Sequence, residues 1–99
     1  MEVQKMASKK LKEITTKSGF TVAIDPAIGD DMEIIDELQN LVTGRGNASP
    51  GEVVAMMIGQ EGKEAMYEHC RVNGRVSAKK IGEELQDVMN AAVEMLKKA

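Results

Sequence analysis

Tryptophan is absent from the 99 residues, and tyrosine and phenylalanine occur once each, as Tyr67 and Phe20. A core without aromatic bulk must be filled by aliphatic side chains and methionine, and the chain has no aromatic platform on which nucleic-acid bases would stack. The single cysteine, Cys70, rules out an intrachain disulfide and suits a reducing compartment. Together with the single histidine, His69, it supplies too few ligands for a structural zinc site. Long apolar runs are missing as well. The longest, Val53–Ile58, falls far short of the roughly 20 residues that span a bilayer, and the N-terminal residues lack the apolar stretch of a signal peptide. The expectation is a cytoplasmic protein with no membrane partner.

What remains is ordinary for one globular domain over residues 1–99: 42% apolar and 29% charged residues. Folding a chain of this size buries roughly 65% of its unfolded surface, enough for one modest core. Eight methionines make the apolar material soft, suited to filling irregular gaps or accepting more than one partner. A formal net charge of −3 argues against a constitutive nucleic-acid binder, whose affinity needs a positive field. The charge is uneven. Lys5, Lys9, Lys10, Lys12 and Lys17 crowd the first twenty residues, whereas Asp25, Asp30, Asp31, Glu33, Asp36 and Glu37 follow without a base. Such asymmetry suits either a solvated face or head-to-tail alignment of copies in a homo-oligomer.

The fold class read from the pattern is α+β and mainly helical: an N-terminal β-hairpin over residues 9–25, then about four helices over residues 30–98. Residues 1–8 carry no period and read as a fraying lead-in. KLKEITT and FTVAI each alternate, and Lys17, Ser18 and Gly19 between them suit a hairpin loop with Gly19 at positive φ. Pairing Thr16 with Phe20 sets Ile14 opposite Val22 and Lys12 opposite Ile24, which gathers Ile14, Phe20, Val22 and Ile24 on one face. Two strands are marginal alone, so this face must pack on helices or the hairpin must borrow a strand from another molecule.

Pro26 stops the second strand, and Asp30 with Glu33 reads as a capping box for a helix reaching Thr43, with Ile34, Ile35, Leu38, Leu41 and Val42 as its apolar stripe. GRGNASP, residues 44–50, is the clearest break. Ser49, Pro50 and Glu52 then start a second helix that Gly59 ends. A third spans Gln60 to about Val72 and stops at Asn73 and Gly74. The last opens at Ser77, with Val76 able to staple onto Ile81, and keeps period through Ile81, Leu85, Val88, Met89, Ala92 and Leu96.

Candidates for chemistry are few. His69 and Cys70 are consecutive on a helix and point roughly 100° apart, so they form no pair, and no catalytic, cofactor or metal residues are assigned. The acidic residues 30–37 sit where a helix N-terminus favours them. GRGN and GQEGK neither follow a strand nor complete a phosphate-binding loop. In RVNGRVSAKKIGEEL a helix, a turn and a helix bring Arg71, Arg75, Lys79 and Lys80 together, a weak match to a helix-turn-helix DNA-binding regulator. Against it, Lys79 and Lys80 can pair with Glu83 and Glu84 four positions on. VVAMMI is apolar all round, so Val53, Val54, Met56, Met57 and Ile58 must be core or a protein-binding surface.

Taken in order, ITTKSGFTVAIDPAIGDDMEIIDEL, EVVAMMIGQEG and NGRVSAKKIGEELQDVM resemble the small tail assembly chaperones of long-tailed bacteriophages and prophages. The similarity is carried by KSGF at Lys17–Phe20, the paired Asp30 and Asp31, the apolar helix closing at Gly59, and GRV at Gly74–Val76 before an acidic final helix. Where that family often has Trp after the aspartates and Leu before the glycine, this chain has Met32 and Met57-Ile58. The resemblance implies a non-enzymatic protein of the host cytoplasm that binds the tape measure protein, keeps its helices soluble and helps tail tube protein assemble around it. On that expectation Val53, Val54, Met56, Met57 and Ile58 are the client-binding residues. The alternatives are the helix-turn-helix regulator and a structural head-tail component.

Overall fold

Strands β1 (Lys12–Thr15) and β2 (Thr21–Ile24) pair antiparallel in the register the alternation predicts, with Ile14 opposite Val22 and Lys12 opposite Ile24. A computed structural model describes residues 11–45 and 49–98; the lead-in assigned to residues 1–8 and residues 46–48 of the glycine-rich break lie outside them. The loop closes as a three-residue turn. Thr16 N–H donates to Phe20 O at 2.8 Å, Gly19 N–H donates to Thr16 O at 3.0 Å, and Gly19 takes the left-handed φ of 96° that glycine tolerates. One face of the hairpin buries Ile14, Phe20, Val22 and Ile24, and the other is exposed, with Thr15 and Thr21 hydroxyls 3.0 Å apart across the strands.

Asp25 then caps a 3₁₀ turn, Pro26–Asp30, by accepting from Ala27 N–H at 3.0 Å. Pro26 pre-sets the first φ of that turn. Because the turn consumes Asp30, helix α1 (Met32–Thr43) is capped by Asp31, which accepts from Glu33 and Ile34 N–H, one residue later than the capping box read from the sequence. Gly29 lies hard against the last helix: a Cβ there would meet Val93 N at 2.9 Å, so only glycine permits this approach.

Helix α2 (Pro50–His69) begins with the predicted box, in which Glu52 N–H donates to Ser49 Oγ and Ser49 N–H donates to Glu52 Oε1. Gly59 interrupts its path at φ 79°, ψ 171°, but the chain resumes helical geometry immediately. The second and third helices of the sequence reading are therefore two arms of one kinked element, and the helix count among the described residues is three rather than four. Past Cys70 the chain forms a second small hairpin, β3 (Arg71–Val72) with β4 (Arg75–Val76), turning through Asn73 at φ 53° and Gly74 at φ 80°. Helix α3 (Ala78–Lys98) follows, and Ser77 Oγ accepts from Lys80 N–H at its start. The core joins the hairpin face to Ile34 and Leu38 of α1, Val53, Val54, Met57, Ile58 and Met66 of α2, and Leu85, Val88 and Ala92 of α3. The class is α+β and mainly helical, as expected.

The kink at Gly59 sets a sign that can be measured. Only glycine adopts its backbone region readily, so Gly59→Ala should destabilise the protein by about 1–3 kcal/mol in urea denaturation. Were Pro50–His69 one regular helix, the same change would stabilise it by about 1 kcal/mol.

Candidate functional site

The first arm of α2 settles where VVAMMI goes. Val53, Val54, Met57 and Ile58 are buried within the chain's own core; Met57 is 3% exposed, while Met56 is 43% exposed. The five residues expected to form one protein-binding surface are thus split, because an all-round apolar segment in so small a domain is enclosed by the hairpin on one side and by the other helices around it. In this fold Met56 alone of the five offers substantial surface to a partner.

Apolar surface is available elsewhere, in a feature that follows from how three elements converge. The C-terminal end of α1, the α2 helix and the start of α3 leave a groove of about 750 Å³ lined by Leu41, Val42, Pro50, Tyr67, Val76 and Ile81, with Lys79, Glu83 and Gln86 also on its walls. Val42, the last residue of the stripe read for α1, is 62% exposed there. The Lys63 ammonium sits 5.6 Å from the centre of the Tyr67 ring, a cation–π contact on the same helix. Sequence periodicity gave Leu41, Val42 and Ile81 their faces but not the gap between them, which depends on how the helices cross.

A polar cluster that the sequence did not suggest joins the first hairpin to the helices. Ser18 donates its hydroxyl proton to Glu84 Oε2 at 2.5 Å, and its oxygen lies 2.8 Å from His69 Nε2. Since the hydroxyl has one proton and gives it to the carboxylate, His69 must be the donor, with its proton on Nε2. Next to it, Lys17 N–H donates to Asp87 Oδ2 at 3.1 Å, and the Phe20 ring centroid lies 5.1 Å from that of His69. Ser, His and Glu are the residue types of a hydrolytic triad, but their order in space is different. In a triad the imidazole stands between hydroxyl and carboxylate; here the hydroxyl stands between the other two, and the imidazole cannot carry its proton to the acid. The arrangement is a clasp. Glu84 is only 5% exposed, and its other oxygen, Oε1, is buried without a hydrogen-bond partner among the described residues.

His69 and Cys70 diverge as consecutive helical residues should: His69 turns outward to Ser18, and Cys70 is buried at the helix end. Burial first and the nearby Glu84 second push the Cys70 thiol above its ordinary range, which keeps it protonated and unreactive at neutral pH. Among the described residues no group of three His, Cys, Asp or Glu side chains is arranged to hold a metal ion. The basic residues of the helix-turn-helix reading do not lie on two helices joined by a turn. Arg71 and Arg75 lie on the β3–β4 hairpin, Arg71 is paired with Glu68 at 2.9 Å, and Glu84, expected to pair with Lys80 at the surface, turns inward instead. Among the described residues no helix is long and apolar enough to cross a membrane.

Comparison with protein-family models, with curated proteins and with solved structures gives no match.

The division of VVAMMI makes neighbouring residues behave oppositely. Met57→Ala should cost about 2–5 kcal/mol of folding stability. Met56→Ala, at a half-open position, should stay within about 0.5 kcal/mol. Urea midpoints for the two variants, compared at equal m-values, read the difference directly.

Proposed function

We propose that the protein is a non-catalytic assembly chaperone, with the tape measure protein of a long-tailed phage or prophage as its client and the host cytoplasm as its workplace. The observation that carries this reading is the open, mainly apolar groove at Leu41, Val42, Tyr67, Val76 and Ile81, with Lys79, Glu83 and Gln86 on its walls. A client held mainly by apolar contact can vary in sequence, as a chaperone for a long helical protein requires. Burying an exposed residue such as Val42 against a client would contribute roughly 1.5–3 kcal/mol, so several such contacts give useful but reversible affinity. The resemblance of the residue order to tail assembly chaperones supports this client class over other apolar partners, and tail tube protein is the second partner on the same reading.

Self-association belongs to the proposal too. The outer edge of β1 carries no strand partner among the described residues, and the basic start of the chain complements the acidic stretch from Asp25 to Glu37. The helix-turn-helix alternative is not favoured, because Arg71 and Arg75 lie on a β-hairpin where that motif needs the end of a helix and a turn, and Arg71 is already paired.

The groove is tested with the double variant Val42→Lys, Val76→Lys. Both side chains are at least partly exposed, so the variant should keep wild-type circular dichroism and thermal cooperativity. It should fail to keep a coexpressed tape measure fragment in the soluble fraction, where the wild-type chain succeeds. Equal solubility of the fragment with the variant would contradict the groove, and equal solubility with no chaperone at all would contradict the client.

A further inference from the structure

The clasp at the hairpin loop has the composition of a catch rather than of a core. The hairpin meets α3 through side-chain and loop hydrogen bonds: Ser18 to Glu84 and Lys17 N–H to Asp87, with His69 of α2 donating to the same Ser18. Glu84 and Asp87 stand one turn apart on α3, so the loop's two donors meet two carboxylates on one helical face. Hydrogen bonds to a carboxylate are stronger than neutral ones. This catch is nevertheless incomplete, since Glu84 Oε1 is buried with no hydrogen-bond partner among the described residues, which destabilises the closed state. The hairpin it holds is small, four residues in each strand, and its strands pair only with each other among the described residues. Beneath it lie the four apolar residues Val53, Val54, Met57 and Ile58, in one core with Phe20, Val22 and Ile24.

We propose that the hairpin is a gated cover: the Ser18–His69–Glu84–Asp87 catch holds it closed, and its release as a unit, with α1, α2 and α3 still folded, uncovers the apolar strip of α2. A two-stranded hairpin has little stability of its own and lifts at lower free energy than helices tied to one another by α1, α2 and α3 packing. The uncovered side chains recur at i, i+1, i+4 and i+5, a continuous ridge along one helical arm. The client role of that ridge rests on the chaperone reading above; the opening itself does not. The split of VVAMMI then has a use, because the apolar surface is stored under the cover instead of being exposed to aggregation.

The opening is read by native-state hydrogen exchange on the full chain at low urea, residue by residue. The strand amides of Ile14, Val22 and Ile24 should exchange at least about tenfold faster than those of Leu85 and Val88 in α3, through an opening with weak urea dependence. Ser18→Ala combined with Asp87→Ala should accelerate the hairpin amides about tenfold more, leave Leu85 and Val88 within about twofold, and raise the fluorescence of added anilinonaphthalene sulfonate several-fold with helical circular dichroism unchanged. Exchange of hairpin and α3 amides together, at one rate with the urea dependence of global unfolding, would overturn the gate in the wild-type chain regardless of how the variant folds. Faster hairpin exchange without added dye binding would overturn the exposure of the α2 strip. Neither readout involves a tape measure protein, so failure of the client assignment leaves this result intact.

Discussion

Two strands of four residues are marginal by themselves in water, and an arm of α2 that is apolar on every side is stabilised by a cover. Each solves the other's problem. The hairpin presents Phe20, Val22 and Ile24 to a core that contains Val53, Val54, Met57 and Ile58, and the remaining helices close around them. Everything else in the fold is arranged to make that docking possible: the 3₁₀ turn that brings the chain off β2, the glycine that lets this turn lie against α3, and the kink that redirects α2 at Gly59.

How much of this was legible depends on whether the signal is local. The first hairpin's register followed from alternation and a three-residue loop with glycine in its last place, because turn chemistry fixes pairing directly. The start of α2 followed from Ser49, Pro50 and Glu52 for the same reason. Gly59 reads in sequence as the end of a helix and in the fold is a kink within one, because whether the chain turns away or resumes its helix after one residue depends on packing that no local pattern encodes. The β3–β4 hairpin was missed because strands of two residues carry no period; Asn73 and Gly74 gave only the stop, although Asn-Gly with both residues at positive φ is the signature of a tight hairpin turn.

The polar residues tell the same story more sharply. Glu84 looked like a surface partner for Lys80, four positions back on an exposed helix. It is buried because Ser18, 66 residues earlier, arrives to donate to it, and separation of that kind leaves no trace in a window of sequence. His69 and Cys70 were correctly read as pointing apart, yet the partners of His69, Ser18 and Phe20, were out of reach for the same reason. For VVAMMI the all-round apolar pattern is compatible with both core and interface, and burial of four of its residues in the chain's own core decides between them for the closed fold. The groove beside Val42 replaces that segment as the apolar surface facing outward.

The clasp and the shared core both require the hairpin to be seated on the helices through its loop. Nuclear Overhauser contacts between the ring protons of Phe20 and His69 test this most directly, since the two ring centroids lie 5.1 Å apart and belong to elements 49 residues distant in sequence. Clear cross-peaks between the rings are the predicted result. Their absence in a folded protein whose helical amides are otherwise well dispersed would contradict the docked hairpin, and with it the clasp and the shared core.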